Sequence, residues 1–466
     1  MAKHIHFIGI GGSAISAVSI IAKKLGYIVS GCDLEEDTAY LAKVRKVIKE
    51  VFIGHGKKHL EGVDMVVVTP AVFFQNKNHP EILEAKRKKI LMTWQKFLGK
   101  FLHKGKKVIC ITGTHGKSTT TAMSALVFER AGLDPNVIVG AKVPEWEGNY
   151  RYGKGDIFVT EADEFYDNFL NYYPDAIVLN NIEFDHPDYF NSEKEVIKSF
   201  YRFIVKLRGR KILIINQDSP GIKKLFNLLP GDLLDSIDVR GYTFRDNSLV
   251  KVKKSAKVKI LKKDNNGTSF EIKSKALDLN NVYNLRIPGE HSVFNAAGVV
   301  ILAKCFGIEN KVVEKTLIRF RGIGRRLELI GEKKGIKVYD DYAHHPTAIK
   351  ATLSALRQFY PQNRIWAVVE PHSYSRTKAL LKSYNGVFSD ADEVIVGPIF
   401  KARDKQKFGV SSHSIVEISD HRNARSLESM DRLIKLLKKE VKPKDIVLVM
   451  GAGKSYDWSR KILDFL

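Results

Sequence analysis

Short uninterrupted apolar runs, each ending in a glycine- or acid-bearing turn, recur along the whole chain. HIHFI, YIVSGCD, Val51–Ile53 and Met65–Thr69 form a first set. Val108–Ile111, Asp156–Glu161, Ala176–Asn180 and Lys211–Asn216 form a second, and Ile336–Asp340, Ile365–Glu370, Glu393–Val396 and Ile446–Met450 a third. Runs of this length and composition predict strands buried on both faces, as in parallel sheets. Between them, apolar residues spaced three and four apart predict helices over Glu193–Leu207, His291–Ala303, Thr347–Gln358, Thr377–Tyr384 and Leu427–Lys439. Lys251–Leu279 alternates polar and apolar residues, which predicts a more β-rich excursion. Strand–helix alternation of this kind predicts an α/β fold of doubly wound units.

Length and charge narrow the picture. A chain of 466 residues exceeds what one core organises, and 44% hydrophobic content suits a globular protein. Net charge is +24, yet the basic clusters (Lys43–Lys49, Lys86–Lys89, Lys104–Lys107, Lys251–Lys263, Lys435–Lys444) are dispersed and lack interleaved aromatics. Solvated faces that attract anionic substrates fit this pattern better than a nucleic-acid groove. Cys32, Cys110 and Cys305 show no CxxC and no metal spacing, so they read as buried thiols in a reducing cytoplasm. The first residues enter a strand directly, and no apolar run reaches the roughly 20 residues of a membrane helix. No nucleic-acid partner and no membrane insertion are expected.

Six motifs carry chemistry. Gly9-x-Gly11-x-x-Ala14 after the first strand, with Asp33 closing the second, fits a dinucleotide fingerprint and marks a site for a phosphorylated nucleotide. CITGTHGKSTTT (Cys110–Thr121) has the layout of a phosphate-binding loop, with Ile111 where the first glycine of the common pattern would stand. Glu161-Ala-Asp163-Glu164 and the block from Asn180 to Tyr189, including His186, follow later strands and offer carboxylates and an imidazole to Mg²⁺. DDYAHHPT (Asp340–Thr347) and EPHSYSRT (Glu370–Thr377) end strands of the third set. Adjacent His344 and His345 lack the companions of a zinc site, so a polar substrate pocket is the better reading. Arg325 and Arg326, at a hinge, are candidates to lie over phosphates.

The resulting architecture has three domains: an N-terminal Rossmann-like domain (1–104), a central P-loop ATPase-like domain with a parallel or mixed sheet (105–318), and a C-terminal Rossmann-like domain (319–466). The first junction is expected as a linker at Phe101–Gly105.

Taken in order, GIGGSAIS, TGTHGKSTTT, EADE, NNIEFDHPDYF, GEHSVFNAAG, RRLE, DDYAHHPT and PHSYSRT resemble the Mur ligase family, whose members form amide bonds in peptidoglycan precursor synthesis at the expense of ATP. Within it, the opening GIGG, the histidine of GTHGK and DDYAHHPT resemble members that add L-alanine to UDP-N-acetylmuramate. LNNIEFDH and EPHS lean toward members that attach a whole tripeptide, and Ser373 stands where the alanine-adding members usually carry arginine.

The resemblance implies ATP and Mg²⁺, as two ions, and a catalytic set of Lys117, Glu161, His186, Arg326, His344 and Arg376. It implies nucleotide contacts from Gly113, Thr114, His115, Gly116, Lys117, Ser118, Thr119, Asn295, Arg326 and Asp341, and metal contacts from Ser118, Glu161 and His186. It assigns the UDP moiety to Gly9, Gly11, Gly12, Ser13 and Asp33, and the amino acid to Tyr342, His344, His372 and Arg376. A carbamylated lysine is not evident, since neither Lys194 nor Lys198 can be placed on a metal. Three domains that all carry site residues are expected to close around substrate. A nicotinamide-dependent oxidoreductase would use Gly9–Ala14 and Asp33 but leave Lys117, Glu161 and His186 idle. A basic P-loop protein acting on nucleic acid is the other competing class.

Overall fold

The computed structural model describes residues 2–36, 38, 40–75 and 78–466. The first sheet holds β1 (His4–Ile8), β2 (Ile28–Asp33), β3 (Glu50–Ile53), β4 (Met65–Val68) and β5 (Leu91–Thr93), parallel throughout in the order β3-β2-β1-β4-β5. Strand order reverses at β1, so the loop after it opens into the crevice where such sheets bind ligands.

The second sheet comprises β6 (Lys107–Thr112), β7 (Asn136–Val143), β8 (Gly148–Arg151), β9 (Ile157–Glu161), β10 (Ala176–Leu179), β11 (Ile212–Asn216), β12 (Asp238–Thr243), β13 (Lys254–Asp264), β14 (Gly267–Ser274) and β15 (Leu279–Leu285). Its order is β15-β14-β13-β12-β11-β10-β6-β9-β7-β8, parallel in the middle and antiparallel at both edges. The alternating Lys251–Leu279 stretch supplies β13 and β14, one face of which is packed and the other wet.

The third sheet contains β16 (Glu328–Lys333), β17 (Ile336–Asp341), β18 (Ile365–Glu370), β19 (Glu393–Val396), β20 (Ala424–Ser426) and β21 (Ile446–Gly451), ordered β16-β17-β21-β18-β19-β20. Only β16 runs antiparallel among its described pairs. Two helices begin where capping chemistry allows. Ser373 Oγ accepts Arg376 N–H, starting the helix at Tyr374, three residues before the apolar spacing alone predicts. Ser429 similarly starts the helix Met430–Glu440, three residues late.

The junction after residue 100 differs from the expected linker. Leu98 and Leu102 are buried at 0% and 2% exposure, and both belong to one continuous core shared by the first sheet and one face of the second. A Cβ on Gly99 would collide with the Asn171 carbonyl oxygen, so only glycine lets this segment lie against the central domain. The basic side chains at the junction disguise an apolar weld. The third sheet has its own separate cores, and it meets the central domain through polar contacts. Gln358 is typical: its Nε2 donates to Gly267 O at 3.0 Å and to Thr268 Oγ1 at 3.1 Å.

Candidate active site

The carboxyl ends of β6, β9, β10, β17 and β18 converge on a cleft of about 2300 Å³. The phosphate loop forms its floor. Gly116 takes φ +81°, and a Cβ there would strike Asn295 Oδ1, which fixes glycine at this position. The helix Lys117–Arg130 that follows has no side-chain cap, so its first N–H groups are open to an anion. Lys117 folds back onto the loop, with Nζ donating to Gly113 O at 2.7 Å and to Glu164 Oε2 at 3.0 Å. Burial opposes the ammonium charge, but Glu164 and Asp163 hold it above the ordinary lysine value. An arriving triphosphate therefore has to displace Glu164 as the partner of Lys117.

Glu161 at the end of β9 accepts Gly140 N–H at 2.5 Å and also meets the Ser118 hydroxyl. Burial pushes its carboxyl above the ordinary value, which marks a group that gains by receiving a cation. Ser118 and Glu161 together are suited to Mg²⁺ beside a triphosphate: a hydroxyl, a carboxylate and room for phosphate oxygens.

His186 is placed differently from a free metal ligand. It lies within 4.8 Å of Asp163 and Glu164 ligand atoms, and its φ of +57° is in the left-handed region. Its Nδ1, however, is 3.2 Å from Arg376 Nη2. Arginine only donates, so Nδ1 accepts and Nε2 carries the proton of the neutral ring. In this arrangement His186 can ligate only after Arg376 moves, because freeing Nε2 places the proton on Nδ1, against the guanidinium.

Arg376 organises the far wall. It pairs with Asp185 (Nε–Oδ1 2.8 Å) and reaches His372 Nδ1 at 3.2 Å. Burial alone would raise Asp185, yet the neighbouring His186 and the Arg376 guanidinium hold its carboxyl well below the usual range. Beside them, burial and the Arg376 charge lower His344 well below its ordinary value and bring His372 to about 4. His344 Nδ1 bonds the Tyr342 carbonyl at 2.9 Å. Tyr342 lies between two guanidinium groups, with Arg325 at 5.0 Å and Arg326 at 5.2 Å from its ring centre.

Among the residues singled out in the sequence, Thr114, His115, Gly116, Lys117, Ser118, Thr119, Glu161, His186, Asn295, Arg326, Asp341, Tyr342, His344, His372 and Arg376 all line the one cleft. Ser13 joins them from the first domain, its Oγ 3.2 Å from Gly140 O. Gly9, Gly11, Gly12 and Asp33 lie behind Ser13 and do not line the cleft. Asp33 braces the loop, accepting Gly11 N–H at 2.8 Å and Glu35 N–H at 3.3 Å. Asp341 likewise has both oxygens engaged, by Leu327 and Ala343 N–H. Arg325 also lines the cleft but is engaged as a staple of the third domain: it bonds Asp340 Oδ2 at 3.0 Å, Gly451 O at 2.9 Å and Ser455 Oγ at 3.0 Å.

Several pairings were not foreseen, although their acids belong to the blocks read as carboxylate donors to Mg²⁺. Glu164 and Asp185 hold the two key cations. Glu183 accepts Thr347 Oγ1–H at 2.8 Å and approaches His115 at 3.4 Å, tying the phosphate loop to the third domain. All three lie inside acidic motifs visible in the sequence, but which acid faces which cation depends on the loop conformation after β9 and β10.

A bare-ended phosphate loop, carboxylates at neighbouring strand ends and a cationic third domain define an enzyme that uses a nucleoside triphosphate to activate a bound acid. The comparisons agree. Residues 4–106 match the Mur ligase family catalytic domain, 111–303 the Mur ligase middle domain, and 325–453 the Mur ligase glutamate ligase domain. The UDP-N-acetylmuramate–L-alanine ligase of Alkaliphilus metalliredigens is 35% identical over 97% of this chain and 95% of its own length. That of Clostridium acetobutylicum is 34% identical over 97% and 96%. The crystal structure of the MurC ligase from Thermotoga maritima superimposes with a TM-score of 0.77 at 25% identity, covering 100% of this chain and 99% of that one. A murein peptide ligase from Psychrobacter arcticus shares the fold, with a TM-score of 0.69 at 23% identity, covering 100% and 98%. The chain belongs to the Mur ligase family. It is accordingly an ATP-dependent ligase.

Proposed function

We propose that this enzyme joins L-alanine to UDP-N-acetylmuramate in peptidoglycan precursor synthesis, in the cytoplasm, through an acyl-phosphate intermediate. The observation that carries the reading is the meeting, in one cleft, of Lys117 and Glu161 from the central domain with Arg376, His344 and His372 from the third. The lactyl carboxylate attacks the γ-phosphorus of ATP, releasing ADP and forming the acyl phosphate. The alanine amine then adds to the acyl carbon, and inorganic phosphate departs as the amide forms.

The chain's residues bind and position these groups. Lys117 and the bare helix end hold the β- and γ-phosphates, while Asn295 and Arg326 hold the rest of the nucleotide near Asp341. The loop Gly9–Ser13, braced by Asp33, receives the UDP moiety. Ser118 and Glu161 would hold Mg²⁺, which neutralises the triphosphate when bound. A second ion at His186 requires Arg376 to shift, and its release onto the incoming carboxylate would couple the two events. Arg376, Tyr342, His344 and His372 face the amino acid, and burial keeps the two imidazoles neutral. Domain limits at 104/105 and 318/319 assign the UDP-sugar, ATP and amino acid to successive domains.

One observation favours the tripeptide as a second reading. Ser373 is buried, takes φ +62° and spends its hydroxyl on capping the helix Tyr374–Leu380. It offers no cation to a small amino acid's carboxylate. Phosphate release with UDP-N-acetylmuramate, measured in parallel with L-alanine, glycine, L-serine and the tripeptide, separates the readings. Release with L-alanine supports the proposal, and release with the tripeptide alone overturns it.

A further inference from the structure

The N-terminal sheet carries a second cluster of ligating side chains that the proposed reaction does not use. His6 on β1 and Cys32 on β2 share a sheet face, His55 and His59 follow β3, and His79 and Glu81 open the helix Pro80–Arg87. The Cys32 Sγ lies 3.4 Å from His6 Nε2, 3.1 Å from His55 Nδ1 and 3.0 Å from Glu81 Oε2. His59 Nδ1 is 2.6 Å from Glu81 Oε1, and His6 Nε2 is 3.9 Å from the same oxygen. One donor atom from each of His6, Cys32, His59 and Glu81 falls within 4.8 Å of all the others. Ligands at 2.0–2.3 Å around a tetrahedral zinc ion stand about 3.3–3.7 Å apart, the range these separations bracket.

Three further features point to a cation. His6 Nδ1 is bonded to Ser30 Oγ at 2.9 Å, and Ser30 in turn to His4 at 2.8 Å, which turns Nε2 toward the cluster as an outer-shell partner does for a metal-bound histidine. Glu81 and His6 side chains are fully buried, and among the described residues the ion pairs of Glu81 are with imidazoles alone. A divalent ion with one thiolate and one carboxylate would leave the pocket neutral, whereas a buried carboxylate without a strong cation is costly. His79 Nε2, in a residue 2% exposed, has no hydrogen-bond partner among the described residues, and its ring stands 4.1 Å from His55.

We propose that His6, Cys32, His59 and Glu81 form a site for one thiophilic divalent ion of the zinc class, with His55 and His79 beside it. Mixed sulfur, nitrogen and oxygen donors select Zn²⁺ or Co²⁺ over Mg²⁺. Loading forms the metal–sulfur bond and releases the Cys32 proton to solvent. The partly exposed His59 edge, at 19%, is the entry side. The site lies directly under the glycine-rich loop, because Cys32 O accepts Gly9 and Ile10 N–H at 2.8 and 3.1 Å. A bound ion therefore stiffens the loop assigned to the UDP moiety. Four ligands spread from residue 6 to residue 81 give no spacing that sequence reading recognises.

The test is cobalt titration of the chelator-stripped full-length protein. One Co²⁺ per chain is expected, with near-ultraviolet thiolate-to-cobalt absorption that Zn²⁺ removes and excess Mg²⁺ does not. Cys32→Ser should lose the thiolate band, and His59→Ala should weaken Co²⁺ binding by about tenfold or more. Absence of the band in the unmodified protein overturns the proposal, as does its persistence in Cys32→Ser. If Cys32→Ser fails to fold, unchanged Co²⁺ affinity in His59→Ala overturns it equally.

Discussion

Replacing Arg376 with methionine should loosen the third domain from the central one without unfolding either. Arg376 is anchored in the third domain, and its partners Asp185 and His186 follow β10 of the central sheet. The side chains of Arg376 and Asp185 are only 7% and 8% exposed. Removing one member of a buried ion pair typically costs about 3–5 kcal/mol, because the remaining charge is left uncompensated. Asp185 keeps the N–H of His186 at 2.7 Å, which argues for the lower end of that range. The two domains have separate apolar cores, so the cost falls on docking. About 3 kcal/mol corresponds to roughly a hundredfold rise in the open fraction.

Hydrogen exchange of amides in 183–190 and 342–347 measures that fraction directly and does not depend on activity. Arg376→Met should speed exchange there by about two orders of magnitude and leave strands β6 and β18 protected. Arg376→Met with Asp185→Asn should recover most of the protection, since a neutral buried pair removes the stranded charge. Unchanged protection in the single variant, or no recovery in the double, would refute the argument that this pair holds the cleft together.

Other consequences follow from the same geometry. Lys117→Ala should abolish turnover while sparing UDP-sugar binding measured by calorimetry; loss of both would show that the domain roles are misassigned. Gly99→Val should sharply lower the soluble yield and melting temperature, because its side chain would collide with the Asn171 carbonyl; a variant as stable as the parent would contradict the apolar weld. Burial and the neighbouring His115 bring His345 down to about 4, against about 6.5 in an unfolded chain. The unfolded state then binds the extra proton, so this contribution is complete above pH 6.5 and is lost as pH falls toward 4. The slope should be about 1.4 kcal/mol per pH unit, and His345→Gln should flatten it by one proton. An unchanged slope in that variant would place the proton elsewhere. Glu183 is brought to about 2, where burial would raise it but His115 and Thr347 prevail, so its contribution is lost only below about pH 4.5.

The parallel strands were legible because burial on both faces demands unbroken apolar runs, as in MVVV and IWAVVE. The edge strands β8 and β16 were not, because GNYR and ELIGEK carry no such run, and β7 was missed although its NVIV half is buried. Lys104 to Lys107 made the first junction look like a solvated linker, whereas the contacts of Leu98, Gly99 and Leu102 with the central domain decide its character. Phosphate-loop chemistry is local in sequence and was read directly. Partner choice is not local: Glu164 for Lys117, Asp185 for Arg376 and Asp340 for Arg325 are set by how loops from different strands meet. Arg325 and Arg326 are adjacent in sequence, yet Arg325 is spent on three contacts within the third domain while Arg326 enters the cleft beside Tyr342.

The central claim is that the sugar-borne carboxylate is activated as an acyl phosphate before the amine attacks. UDP-N-acetylmuramate labelled with oxygen-18 in its carboxylate tests this most directly, by mass analysis of the phosphate released in the presence of ATP and L-alanine. One labelled oxygen in each phosphate is the predicted result. Unlabelled phosphate formed at the rate of amide synthesis would contradict the account.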